Sequence, residues 1–154
     1  MSVRVSNAKA RPATATYKVN VGYADGYIGE GEVSYGGIDA VARAKWAAEI
    51  VKERLKLQGF AYDDFRVDLI GMSSLHDQAA IRPEPYEVRL RMAGRTHDRK
   101  AAHAIGFEVR ALHMHGPGGA GGACEPRVRD VLAVKSVLLP KSMVNAQVIV
   151  EGTP

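Results

Sequence analysis

Between Tyr17 and Gly37 the chain reads YKVNVGYADGYIGEGEVSYGG, and this run of β-formers broken by glycine and carboxylate constrains the fold more than any other stretch. Successive side chains of a strand point to opposite faces. Tyr17, Val19, Val21 and Tyr23 therefore share one face of a first strand. Tyr27, Val33 and Tyr35 share one face of a second, with Gly29 and Gly31 between them, while Ile28, Glu30, Glu32 and Ser34 take the other face. The Asp25-Gly26 pair predicts a tight turn joining the two strands. Glycine weakens a strand interior unless another group must approach the backbone closely. Gly29 and Gly31, interleaved with two glutamates, thus predict a packed or binding surface.

The rest of the chain extends this to β-β-α-β-β-α-β. Asp39 is placed to cap a helix over 40–58, where Val41, Ala44, Ala48, Val51 and Leu55 recur at three- and four-residue steps. Gly59 reads as its stop. Residues 66–72 (RVDLIGM) predict a short buried strand, and a polar loop with Pro83 and Pro85 leads to a strand over 86–93. Thr96 or Asp98 caps a second helix with its apolar side on Ala101 or Ala102, Ile105, Val109 and Leu112. Residues 129–139 favour a strand, with a helix over 128–134 as the alternative, and 148–150 could add an edge strand. Each helix has one apolar side, so both are expected on the same face of a mainly antiparallel sheet of about five strands, a two-layer α+β sandwich. The expected organisation is a basic flexible arm over 1–15, or a cut inside a longer polypeptide, followed by one domain over 16–154.

Composition narrows the classes. With 154 residues, 46% hydrophobic and 25% charged, the chain suits an ordinary globular domain. It has no apolar run of membrane-spanning length and no secretory signal pattern, and its single cysteine, Cys124, excludes an internal disulfide and fits a reducing cytoplasm. The net charge of +4 hints at an anionic partner. Nucleic acid is not expected, because aromatics are 6% of residues and neither an aromatic RNA-binding cluster nor a basic recognition helix is present. Arg89 and Arg91, alternating with Val88, Leu90 and Met92, read as one solvated sheet face.

Four constellations could carry chemistry. Gly116, Gly118, Gly119, Gly121 and Gly122 form the loop GPGGAGG, whose backbone N–H groups could cradle a phosphate. No Gly-Lys-Ser/Thr follows it and helix rather than strand precedes it, so a mobile loop or subunit contact is the competing reading. His113 and His115 could bind a metal if a third ligand converged, but the helix dipole alone accounts for histidine there. No Cys/His spacing supports zinc, and no metal site is assigned. Asp25, Glu30 and Glu32 form the acidic group. Strand geometry sets the two glutamates about 7 Å apart, suited to acid–base work or a hard cation. A solvent-facing strand with charges matched by Lys18 is the plain alternative. Cys124 could be a nucleophile with His113 or His115 as base, or an inert small residue.

The ordered blocks GYADGYIGEGEVSYGG, AVARAKWAAEIVKERLKLQG, RVDLIGMSSLH, PYEVRLRMAGR, GPGGAGG and VRDVLAVKSVLLP resemble the closing portion of the core of the acyclic terpene utilisation (AtuA) family, from about Tyr17 to Val150. The resemblance implies a cytoplasmic bacterial protein of catabolic clusters acting on branched or terpenoid acids, beside acyl-CoA carboxylase, dehydrogenase or hydratase genes. It directs attention to Asp25, Gly26, Gly29, Glu30, Gly31 and Glu32 and to the glycine loop, and it assigns no cofactor. Family members are usually several times longer, with a large α/β domain before this region and often a small ferredoxin-like domain after it. The expectation is therefore a split subunit or a fragment. It would be either part of a lyase- or hydratase-like enzyme for an acyl-CoA or related carboxylic acid, or a non-catalytic module that orders a larger AtuA-type subunit. Hetero- or homo-oligomerisation is expected, and a small-molecule substrate is allowed.

Overall fold

The computed structural model describes residues 2–76, 85–149 and 152. Its first element corrects the expected hairpin, because Thr16–Gly36 is one 21-residue strand, β1. Gly26 takes φ 89° at the anticipated turn, but the chain runs on and pairs Tyr27 with Thr96. A Cβ at Gly26 would stand 2.6 Å from the Thr96 carbonyl oxygen, so close approach between strands, rather than chain reversal, requires the glycine. The remaining elements are α1 (Ala40–Leu57), β2 (Asp64–Ile70), β3 (Glu87–Thr96), α2 (Arg99–His115), the two-residue β4 (Ala120–Gly121) and β5 (Arg127–Pro140), followed by a 3-10 turn at Lys141–Met143. Residues 128–134 are thus strand, not helix. Val148 and Ile149 join no strand, while Val150 and Pro83 lie outside the described residues.

The sheet is five-stranded in the order β2-β3-β1-β4, with β5 also paired to β1. β3 runs antiparallel between β1 and β2, so β1-α1-β2 is a split βαβ unit, and β3-α2-β4 repeats the device around β1. This is the βαββαβ, ferredoxin-like arrangement, an α+β sandwich with both helices on one face. The chain divides into two compact units, residues 24–132 and a second formed by residues 1–23 with 133–154.

The first unit holds the core. Val33 and Tyr35 of β1, Val88, Leu90 and Met92 of β3, and the predicted sides of both helices are buried together. Each such side chain contributes roughly 1.5–3 kcal/mol by leaving water. Asp39 stands at the start of α1 but in the left-handed region, and its carboxylate caps nothing; Asp98 does cap α2, accepting from the Lys100 N–H at 2.8 Å. Gly59 ends α1 at φ 76°, as the stop signal predicts. Gly29 and Gly31 have a packing cause. A Cβ on Gly29 would overlap the Ala102 carbonyl, and one on Gly31 would sit 2.8 Å from Gly106 Cα and Val109 Cβ. Gly106 answers from the helix, where a Cβ would lie 2.7 Å from the Glu30 carbonyl oxygen. Backbone thus packs directly on backbone where α2 crosses β1.

The second unit is a two-stranded ribbon of the first half of β1 and the last part of β5. The Ser136 hydroxyl donates to the Asn20 side-chain carbonyl at 2.7 Å, the Lys141 N–H donates to Ala15 O at 3.0 Å, and the Lys141 ammonium lies 5.1 Å from the Tyr17 ring centroid.

Candidate functional site

Glycine on the helix side of β1 leaves Glu30, Glu32 and Ser34 on the opposite sheet face. The antiparallel register brings this face of β1 against that of β3, and β3 against β2. Glu32 and Asp68 both stand across from Arg91, and Ser34 stands across from Arg89. The result is a layer of ion pairs rather than a solvated surface, which corrects the reading of Arg89 and Arg91.

Glu30 is buried at 6% exposure, and three guanidinium groups converge on it. Arg91 grips Oε2 through both Nη2 and Nε, the latter at 3.1 Å. Arg127 Nη1 reaches Oε1 at 3.2 Å, and Arg129 Nη2 lies 3.6 Å from Oε2. The second arm of Arg91 donates to Asp68 at 2.9 Å, and Arg66 Nε donates to the other Asp68 oxygen at 2.7 Å. Glu32 accepts from Arg89 Nε at 2.6 Å and lies 3.9 Å from Arg127. Arg89 also donates to Ser34 Oγ at 3.1 Å and to Cys124 Sγ at 2.9 Å. Beside this group, Arg95 pairs with Asp25. The matching charges for Glu30 and Glu32 are therefore arginines of β3 and β5, and no ion pair joins either glutamate to Lys18 among the described residues.

Five guanidinium groups (Arg66, Arg89, Arg91, Arg127, Arg129) surround three carboxylates (Glu30, Glu32, Asp68). The local balance is positive. The surplus is accessible, because Arg127 and Arg129 have side chains 55% and 66% exposed. The hydrogen bond to Glu32 holds the Arg89 pKa above its ordinary value. Burial works against the charge of Arg91, but its bonds to Glu30 and Asp68 outweigh that and raise its pKa as well. These guanidiniums are permanent charges, and forks of this kind hold carboxylates and phosphates.

The other sequence-selected residues sit as follows. In the glycine loop, Gly118 presents its carbonyl to Arg43, which also donates to Gly36 O and to Ile38 O at 2.8 Å. Gly122 turns its carbonyl toward Arg89 at 3.4 Å. A Cβ on Gly119 would overlap the Arg43 guanidinium, and Gly116 closes α2 with its N–H on Leu112 O. Gly121 pairs with Ser34 as part of β4. At Gly118 and Gly122 the loop thus offers carbonyls to arginines. Cys124 is half-buried, with its sulfur against Arg89 and, at 3.8 Å, Arg127; no histidine bonds to it among the described residues. His113 lines a cleft with Arg110, Gly122, Ala123 and Glu125. No group of three potential metal ligands occurs among the described residues.

Sequence reasoning missed Asp68, Arg66, Arg127 and Arg129 as members of this site. The available signal was the period-two placement of Arg66 with Asp68 and of Arg127 with Arg129. Without the register, nothing tied those pairs to Glu30. A second buried acid also escaped notice. Glu108 of α2 is 2% exposed and accepts from Arg54 and from Gln58 of the residues closing α1, pinning the two helices together.

Comparison with known proteins adds three findings. The family described as "Acyclic terpene utilisation family protein AtuA" matches residues 1–150, essentially the whole chain. No curated protein matches. Among solved structures, the chain is similar to the de novo designed protein Ferredog-Diesel, at 18% identity and a TM-score of 0.38, over 70% of this chain and 88% of that one. No helix among the described residues is long and apolar enough to cross a membrane.

Proposed function

Because the chain belongs to the acyclic terpene utilisation (AtuA) family, we propose that it is the anion-binding accessory part of a catabolic enzyme for branched or terpenoid acyl-CoA or related carboxylic acids. It works beside a larger AtuA-type α/β subunit that carries the chemistry, of lyase or hydratase type. The observation behind this reading is the convergence of Arg91, Arg127 and Arg129 on the single buried carboxylate of Glu30, with the last two arginines more than half exposed. Three carboxylates do not neutralise the five guanidinium groups around them, and a carboxylate or phosphate of the substrate completes the balance. Glu30 and Glu32 act here as braces that hold the guanidiniums in place. A general base needs a carboxylate with a lone pair free for the substrate proton, and every Glu30 oxygen already faces a guanidinium.

The test is turnover by the assembled enzyme. Arg127→Ala with Arg129→Ala is expected to raise KM about tenfold or more while leaving kcat near wild type, since each bond to a charged group is worth about 1.5–3 kcal/mol. Glu30→Gln and Glu32→Gln are expected to retain turnover at saturating substrate. Loss of kcat in either glutamine variant, with the fold intact, would instead make the glutamate a catalytic acid or base.

A further inference from the structure

The net charge of the chain is concentrated in one unit. Residues 1–23 and 133–154 contain Arg4, Lys9, Arg11, Lys18, Lys135 and Lys141 and a single acid, Glu151, whereas over residues 24–132 acids slightly outnumber bases. The ribbon in that cationic unit also has an apolar face. Ser136 bonding to Asn20 sets the even-numbered residues of both strands on one side. Tyr17, Val19, Val21 and Tyr23 then share the other side with Lys135, Val137 and Leu139, while the exposed Val134 and Leu138 lie on the side of Asn20 and Ser136. Tyr17, Val21 and Tyr23 are each more than 40% exposed. Among the described residues β5 pairs only with β1, and β1 pairs with β3 only from Tyr27 onward, so both outer edges of the ribbon offer free N–H and C=O groups. A two-stranded ribbon is marginal in water by itself.

We propose that this ribbon is the docking arm for a protein partner whose groove has an apolar floor and an acidic rim. The inference rests on the two-subunit reading above, in which that partner is the larger α/β chain. Three observations select a protein. The apolar face requires burial, the lysines require a negative rim, and the open edges require strand-like pairing, all of which a sheet edge beside an acidic groove supplies. A lipid surface leaves the edges unpaired. Rows of valine and tyrosine read no base edge in a nucleic-acid groove.

The experiment mixes the full-length chain with the larger AtuA-type α/β chain of its own cluster and follows the complex by native mass spectrometry. A defined complex is expected. It should weaken at least tenfold in the charge reversal Lys18→Glu/Lys135→Glu/Lys141→Glu, and similarly in Val21→Asp. A circular-dichroism spectrum like wild type in each variant separates lost docking from lost folding. Raising salt from about 50 to 300 mM should weaken the wild-type complex several-fold, because a charged rim is screened over about a Debye length. Arg127→Ala/Arg129→Ala should assemble normally. A complex indifferent to the ribbon variants overturns the inference and leaves the two-subunit reading standing. The absence of any complex overturns both, while anion binding by the isolated chain remains separately measurable. Binding to phosphatidylserine vesicles or duplex DNA that is lost in the charge reversal, without a protein complex, assigns the arm to another partner and also overturns it.

Discussion

Glu30 is where the energetics of this protein are most concentrated. It sits at 6% exposure with its carboxylate among Arg91, Arg127 and Arg129. Neutralising it would leave Arg91, 26% exposed at the side chain, beside only Asp68. Breaking a fully buried pair costs about 3–5 kcal/mol. These arginines are partly solvated, so Glu30→Gln is expected to cost about 1–3 kcal/mol, read as a shift of the urea midpoint at constant m-value. Among the described residues Asp25 pairs with Arg95 alone, whose side chain is 39% exposed, and Asp25→Asn should cost under about 1 kcal/mol by the same measurement. Equal costs for the two substitutions would remove the distinction between hub and peripheral pair. The sequence identified Glu30, Glu32 and Asp25 as the residues to examine. It could not identify their partners, because Arg127 lies 97 positions from Glu30 and only the sheet register brings them together.

At the scale of elements, α2 and β1 meet through Gly29, Gly31 and Gly106. Gly29→Ala puts a methyl group into the Ala102 carbonyl, backbone that cannot rotate away. It is expected to destabilise by about 1–3 kcal/mol or more. Gly22→Ala, with nothing within 4 Å, serves as the control and should be near neutral. A second prediction concerns alkaline pH. Burial, then the charges of Asp98 and Glu108, push the Tyr62 phenol up to about 12, and its O–H donates to Ala101 O at 2.9 Å. In the unfolded chain the same phenol ionises near 10. The folded form holds its proton more tightly, so the contribution is intact below pH 10 and is lost as pH rises toward 12. Tyr62→Phe should flatten the fall in stability across that window in denaturant melts at stepped pH, and an unchanged slope would contradict it. The helices and β2 and β3 were legible from periodicity because their apolar residues recur at the helical or strand spacing. The continuity of β1 was not, since Asp-Gly is a turn signal locally and only pairing of Tyr27 with Thr96 keeps the strand running.

For the whole molecule, the βαββαβ topology leaves one sheet face to the helices and gives the other to charge. Period-two alternation in β1 and β3 foreshadowed that division. The sign and depth of the charged face depended on strand order, which the sequence left open. Family membership narrows the context to acyclic terpene utilisation, and in the proposed function the arginine surplus on the charged face receives the acid group of the substrate. Isothermal titration of a branched acyl-CoA into the chain tests this connection most directly. Binding that weakens with salt is predicted, with at least a tenfold loss in Arg127→Ala/Arg129→Ala. Affinity unchanged by removal of both arginines would contradict the account.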